Sequence, residues 1–264
     1  MFNTPAKTLA HTVSLEGAGL HSGAPCRVEL RPAQGGGLRF VKGGRVTPVH
    51  VDHADAPGGS TRFPGCVETP EHLLAAVVGL GITDLEVHVD GPEVPALDGS
   101  ALTWVEALGE PVITGVSRGL AVSAPVEVAV DGGWARALPS DGLELWVDVD
   151  FGPACRGSFA LAVDPGSFRR ELAWARTFLP HAMLDAVVAA GRGRGAEPGS
   201  VVLLGARGPL VPVRGPDECV RHKALDLLGD LALAGLPLRG RFEVVRGTHA
   251  LHHALVRAVL SASR

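Results

Sequence analysis

Three stretches of the chain hold residues whose types and spacing suit metal-assisted hydrolysis. In Asp217–Ala234, DECVRHKALDLLGDLALA, His222, Asp226 and Asp230 recur every four residues. On a helix they share one face, while Val220, Ala224, Leu227, Leu228 and Leu231 supply an apolar stripe opposite. Histidine and aspartate one turn apart suit zinc, which accepts imidazole nitrogen and carboxylate oxygen; the same spacing also occurs on a plain solvated face. Cys219 and Gly229 flank the row and are small, so another element can approach it, and Leu233 lies near its far end. In Thr69-Pro70-Glu71-His72, Glu71 is favoured by the positive end of the helix dipole alone. Adjacent Glu71 and His72 nevertheless point about 100° apart. One can bind a metal while the other reaches a water on it, a division of labour resembling zinc hydrolases, although HExxH is absent. The third stretch, Thr248–His253, carries three histidines. Spacing leaves open a metal-binding tract, a surface cluster or a placed general acid. The expectation is one functional histidine and two packing or surface ones, with His253 one turn beyond His249 and His252 pointing away. His11, His50, His53, His88 and His181 stand alone and read as structural or surface residues.

These residues need elements to position them. Thr12–Glu16, Cys26–Arg31 and Leu38–Val41 read as strands between Gly-rich turns, followed by a polar loop over Gly43–Pro64. Thr69 as N-cap and Pro70 at the first turn open a helix ending near Gly79. Leu85–Val89 is a strand, and Ser100–Leu108 a helix. The order then repeats: strands at Val126–Val130, Trp134–Leu138 and Leu143–Val149, a helix near Arg169–Arg176, and an irregular stretch over Ala189–Ser200. A strand at Val201–Leu204, a helix capped by Asp217 and running to Ala234, a strand at Phe242–Val245 and a helix at His249–Ala262 complete it. The fold class is therefore α+β, two similar α/β sandwich domains formed by a duplicated sheet-plus-helices unit. The boundary falls in Gly109–Gly119, giving domains 1–112 and 113–264 with the active site in the cleft between them.

Composition bounds the function. Of 264 residues, 46% are hydrophobic and 20% charged, which excludes disorder. A net charge of −4, with 24 basic and 28 acidic residues, gives no footprint for nucleic acid. The longest apolar run, Leu73–Ile82, is about half a membrane span, and MFNTPAKTLA lacks a signal-peptide core. The expectation is a soluble, cytoplasmic protein. Cys26, Cys66, Cys155 and Cys219 lie far apart with no CxxC pair, which argues against a disulfide framework or a thiolate zinc site.

The chain resembles the zinc-dependent UDP-3-O-acyl-N-acetylglucosamine deacetylases, which carry out the committed step of lipid A synthesis. The resemblance is carried by GAGLHSG (Gly17–Gly23), TPEHLLAAVVGLGITDLEVHVDGPEVPALDGSA (Thr69–Ala101), ARTF (Ala175–Phe178), DECVRHKALDLLGDLAL (Asp217–Leu233) and THALHHAL (Thr248–Leu255). It implies zinc (Zn2+) held by His72, His222 and Asp226, with the first domain supplying one ligand and the second two. It implies Glu71 as general base and His249 as the protonated histidine that stabilises the oxyanion and protonates the leaving amine. Asp230 then orients His249, Thr177 polarises the amide carbonyl, Lys223 is a charged substrate-site residue, and His21 and Phe178 lie beside the substrate. Asp98 matches as well, though capping explains it.

The implied partner is a small-molecule acylated UDP-amino sugar, with no nucleic acid, at most peripheral membrane contact, and a monomeric state. Alternatives are a zinc deacetylase of a different N-acetyl sugar nucleotide, and a catalytically silent sugar-nucleotide-binding protein of the same fold. The chain departs from the family at Gly215, Cys219, Thr248 and His252. It also places Arg192, Arg194 and Glu197 where apolar residues line an acyl-chain passage. Either these charges face solvent or the passage is altered.

Overall fold

A computed structural model describes residues 1–263. The chain opens with β1 (Phe2–Thr8), β2 (Val13–Ala18), β3 (Pro25–Pro32), β4 (Leu38–Lys42) and β5 (Arg45–Pro48). The short β6 (Arg62–Phe63) and β7 (Val67–Glu68) lead to α1 (Glu71–Gly79), β8 (Leu85–Asp90) and α2 (Leu102–Leu108). Then come β9 (Val112–Ala121), β10 (Val126–Val130), β11 (Gly133–Leu138), β12 (Leu143–Asp150) and β13 (Arg156–Ala162). The rest comprises α3 (Pro165–Glu171), β14 (Phe178–Pro180), α4 (Leu184–Ala189), β15 (Val202–Leu204), α5 (Glu218–Leu231), β16 (Leu238–Val245) and α6 (His249–Ala262).

The duplication expected from element order is visible in strand order. One sheet runs β2-β3-β8-β4-β5, and β10-β11-β16-β12-β13 repeats it in the other. In each, the central strand is antiparallel to one neighbour and parallel to the other, and both outer pairs are antiparallel. The α1 helix thus corresponds to α5, and α2 to α6. Period-two patterning explains why these strands form: in β3, Cys26, Val28 and Leu30 are buried while Arg27 and Glu29 face out. The two equivalent helices meet because Gly229 of α5 has no side chain; a Cβ there would collide with the Glu71 carbonyl oxygen at the start of α1.

Several expectations need correction. The stretch 109–119 is largely strand: β9 pairs with β1 as an antiparallel ribbon, and neither strand was expected. Most of β9 is exposed, so it carries no alternating burial pattern. The polar stretch 43–64 contains β5, two 3-10 turns and β6. Thr69 does not cap α1. It takes a left-handed φ of 56°, its hydroxyl bonds the Glu68 carbonyl, and Pro70 occupies the cap. Asp217 likewise has a φ of 52° and makes no side-chain cap bond. The helix read at 169–176 begins earlier, because Asp164 accepts from Gly166 N and Ser167 N in a capping box. The α4 helix and β13 were not expected either. Finally, Cys155 and Cys219 form a disulfide, because α5 packs across the β12–β13 hairpin and brings together residues 64 apart in sequence.

Candidate active site

The α1–α5 crossing creates the site. His72, in the first turn of α1, and His222 and Asp226, on successive turns of α5, point at one another. His72 Nε2 lies 3.1 Å from His222 Nε2 and 3.6 Å from Asp226 Oδ1, and His222 Nε2 lies 3.4 Å from that same oxygen. The reading of α5 as a solvated polar face is therefore excluded: His222, Asp226 and Asp230 are 6%, 2% and 0% exposed. Burial lowers the His222 pKa to about 3, against the pull of Asp226, so its imidazole is neutral and offers a lone pair. Burial opposes the Asp226 charge, yet the neighbouring Lys223 ammonium, whose Nζ donates to Oδ2 at 2.8 Å, helps to hold its carboxyl well below the ordinary range. Two imidazole nitrogens and one carboxylate oxygen thus lie within 4.8 Å of each other, a group able to hold a metal ion.

Asp230, one turn beyond Asp226, anchors a second group. Its Oδ2 accepts from His249 Nδ1 and from His252 Nδ1, each at 2.7 Å, and its Oδ1 accepts from the Thr61 hydroxyl at 2.6 Å. Thr61 has spent its only proton on Asp230, so His253 Nε2, 3.0 Å away, donates to the Thr61 oxygen. The expectation that His252 points away from His249 and His253 is thus corrected. At 100° per residue, positions 249, 252 and 253 fall within an arc of about 100°, and all three are buried in this network. Burial works against a charge on His249, but Asp230 with its hydrogen bond, then Asp226 and Glu71, raise its pKa to about 9. His252 is pushed the other way by burial and stays neutral. Burial raises the pKa of Glu71, whose Oε2 accepts a long bond, 3.4 Å, from Thr61 N.

A cavity of about 610 Å³ opens onto both groups. Glu71, His72, Thr177, Phe178, His222, Lys223, Asp226, His249 and His21 all line it. Phe178 packs edge-on against His222 and Phe151. Thr177 is fixed by its backbone, N donating to Gly99 O and O accepting from Val202 N. The preceding Arg176 is buried against Glu218 at the start of α5 and also donates to Gly199 O and Pro212 O. The turn carrying His21 hangs on Glu93, whose carboxylate accepts from His21 N and Ser22 N. Burial, reinforced by Arg192, lowers the His21 pKa to about 4. Asp98 does not line the cavity; it accepts from Ser100 and pairs with Arg214.

The two arginines of the apolar region part company. Arg192 lines the cavity, lying across Gly58 with Nη2 3.4 Å from Ser60 Oγ, whereas Arg194 is exposed. Sequence reasoning passed over Thr61, Glu93 and Phe151. Thr61 and Glu93 sit in turns with no periodic signal and meet their partners across 169 and 72 residues.

Comparison with known proteins agrees with this geometry. Residues 6–261 match the family described as UDP-3-O-acyl N-acetylglycosamine deacetylase. Proteins named UDP-3-O-acyl-N-acetylglucosamine deacetylase from Brucella melitensis, Brucella ovis and Brucella abortus are each 37% identical, over 98% of this chain and 96% of their own length.

Proposed function

This chain belongs to the UDP-3-O-acyl-N-acetylglucosamine deacetylase family, and on that premise we propose that it hydrolyses the N-acetyl group of UDP-3-O-acyl-N-acetylglucosamine with zinc. The products are acetate and UDP-3-O-acyl-glucosamine, the committed intermediate of lipid A synthesis. The observation that carries the reading is the convergence of His72 with His222 and Asp226 beside Glu71 and a charged His249. The domains divide as 1–112, carrying Glu71 and His72, and 113–264, carrying Thr177, His222, Asp226 and His249.

His72, His222 and Asp226 hold the metal, which when bound supplies Lewis acidity towards water and the amide carbonyl. Glu71 takes the proton as water adds to that carbonyl; its burial keeps it basic enough to accept one. The His249 imidazolium donates to the developing oxyanion and then protonates the departing amine. Such a donor is worth about 3 kcal/mol. Asp230 keeps that proton on His249, and Thr61 and His252 hold Asp230 in place. The Thr177 hydroxyl helps polarise the carbonyl, Lys223 steadies Asp226 and faces the substrate, and His21 and Phe178 flank the sugar. The apolar wall of Leu179, Pro180, Leu184, Val187 and Leu203 receives the acyl chain. Arg192 at its edge makes the dependence on chain length shallower, since each methylene yields about 0.8 kcal/mol only on leaving water.

The test is acetate release from UDP-3-O-acyl-N-acetylglucosamine by protein of measured metal content. Turnover that tracks zinc occupancy and stops in His72→Ala is expected. Turnover independent of metal, or none with the metal fully loaded, overturns the reading.

A further inference from the structure

We propose that the rim of the cavity formed by α4 and the Leu203–Val213 hairpin is a docking surface for the anionic face of a lipid bilayer. No residue of α4 is buried, although it reads LDAVVA and follows Met183. Asp185 is its single charge. Met183 and Val188 are 51% and 63% exposed while also lining the cavity mouth.

The strands beside α4 extend the same surface. Leu179 pairs with Leu203 in the parallel β14–β15 ladder, and the Leu204–Pro209 bridge places Leu210 opposite Leu203. Directly paired residues point to the same face, so Leu179, Leu203 and Leu210 form one row. The first two line the cavity, and Leu210 continues the row outward at 58% exposure. The acyl wall therefore runs without a polar break onto the protein surface. That continuity rests on the proposed acylated substrate; the exposed patch itself does not.

Charge selects the occupant. Because β14 and β15 are parallel, the hairpin tip bearing Arg207 lies at the same end of the ladder as the start of α4, while Arg192 and Arg194 follow its other end. Arg194 and Arg207 are exposed and have no acidic partner among the described residues. Residues 178–213 carry three arginines against two acids, +1, which leaves −5 for the rest of a chain of net charge −4. A small apolar patch edged by arginines on an otherwise acidic protein suits an anionic interface: shallow insertion plus attraction of cations to the lipid surface. Bound there, the enzyme faces an amphiphilic substrate with the open end of its acyl passage against the bilayer.

The experiment is co-sedimentation of the full chain with vesicles of phosphatidylcholine containing about one third phosphatidylglycerol, against phosphatidylcholine alone. Leu210→Asp and Arg207→Glu do not touch the cavity, and thermal unfolding checks that each is folded. Expected are binding to the anionic vesicles, loss in high salt, and a drop of at least about fivefold for Arg207→Glu alone, about fivefold being the share of the lost arginine charge, with a larger one for the double variant. Turnover of a short-acyl substrate in vesicle-free solution is followed in parallel, so failure of the deacetylase reading shows there and not in sedimentation. Absent or equal binding by wild type and double variant overturns the proposal. So does a concentration-dependent dimer abolished by Leu210→Asp, which would give the patch to a second copy.

Discussion

At the scale of single residues, the proposed chemistry depends on keeping two buried groups in opposite states. Glu71, its pKa raised by burial, must be deprotonated, and His249, held at about 9, must be protonated. The expected profile of kcat/KM against pH is a bell, rising as Glu71 loses its proton and falling through the His249 value. Glu71→Ala and His249→Ala should each lose about 10²–10⁴-fold in turnover, yet retain fold and metal, read by circular dichroism and metal analysis. Asp230→Asn removes the anion that sustains His249, so the basic limb should move down by about 1–3 pH units; an unmoved limb would detach His249 from that limb. The same pair sets a stability trend. The His249 pKa is raised above its ordinary 6.5, so its contribution is complete below that value and is lost as pH rises through about 9. Urea unfolding of metal-free protein should show this decline in the wild type and less of it in His249→Gln. His222, Asp226 and Asp230 were legible because helical spacing is local information. Thr61 was not: its hydroxyl reaches Asp230 only after the polar stretch 43–64 has folded back across the molecule.

At the scale of elements, function rests on how closely α1 can approach α5. Gly229 permits it, because any side chain there meets the Glu71 carbonyl oxygen. Gly229→Ala should therefore destabilise by about 1–3 kcal/mol, measured by denaturant unfolding. It should also weaken metal binding, since His72 rides on one helix and His222 and Asp226 on the other. Full stability with unaltered metal affinity would mean that the helices are free to part. The smallness of Gly229 was readable as room for a neighbour, but which neighbour was not. Cys219 was read in the same way and instead bonds Cys155, a pairing set by α5 crossing the β12–β13 hairpin. Bounds were clearest where capping is intrinsic: Thr248 accepts from Leu251 N, and α6 begins at His249 as its sequence implies. The β1–β9 ribbon escaped notice because most of β9 is exposed, and because β1, although its burial alternates, buries only the small residues Ala6 and Thr8, which give no apolar period.

At the scale of the whole molecule, two copies of one strand order face each other through their equivalent helices, and His72, His222 and Asp226, the group able to hold a metal, lie where they join. His72 and His222 are 150 residues apart in sequence yet have their Nε2 atoms 3.1 Å apart. An ion held there ties one sheet-and-helix unit to the other and binds the native chain in preference to the unfolded one. Linkage then sets the expected size: free zinc at about 100 times its Kd should stabilise by about 2.7 kcal/mol, and at about 1,000 times by about 4.1 kcal/mol. Titrating zinc into chelator-treated protein and following the unfolding midpoint measures this. His72→Ala should flatten the dependence, because it removes the ligand contributed by the first unit, whereas Glu71→Ala should leave the slope intact. The control matters because Asp230, His249 and His252 form a second group with ligand atoms close enough to hold an ion. A zinc-dependent rise that survives His72→Ala and disappears in His252→Ala would move the ion to that second group and leave His72 without a metal to hold.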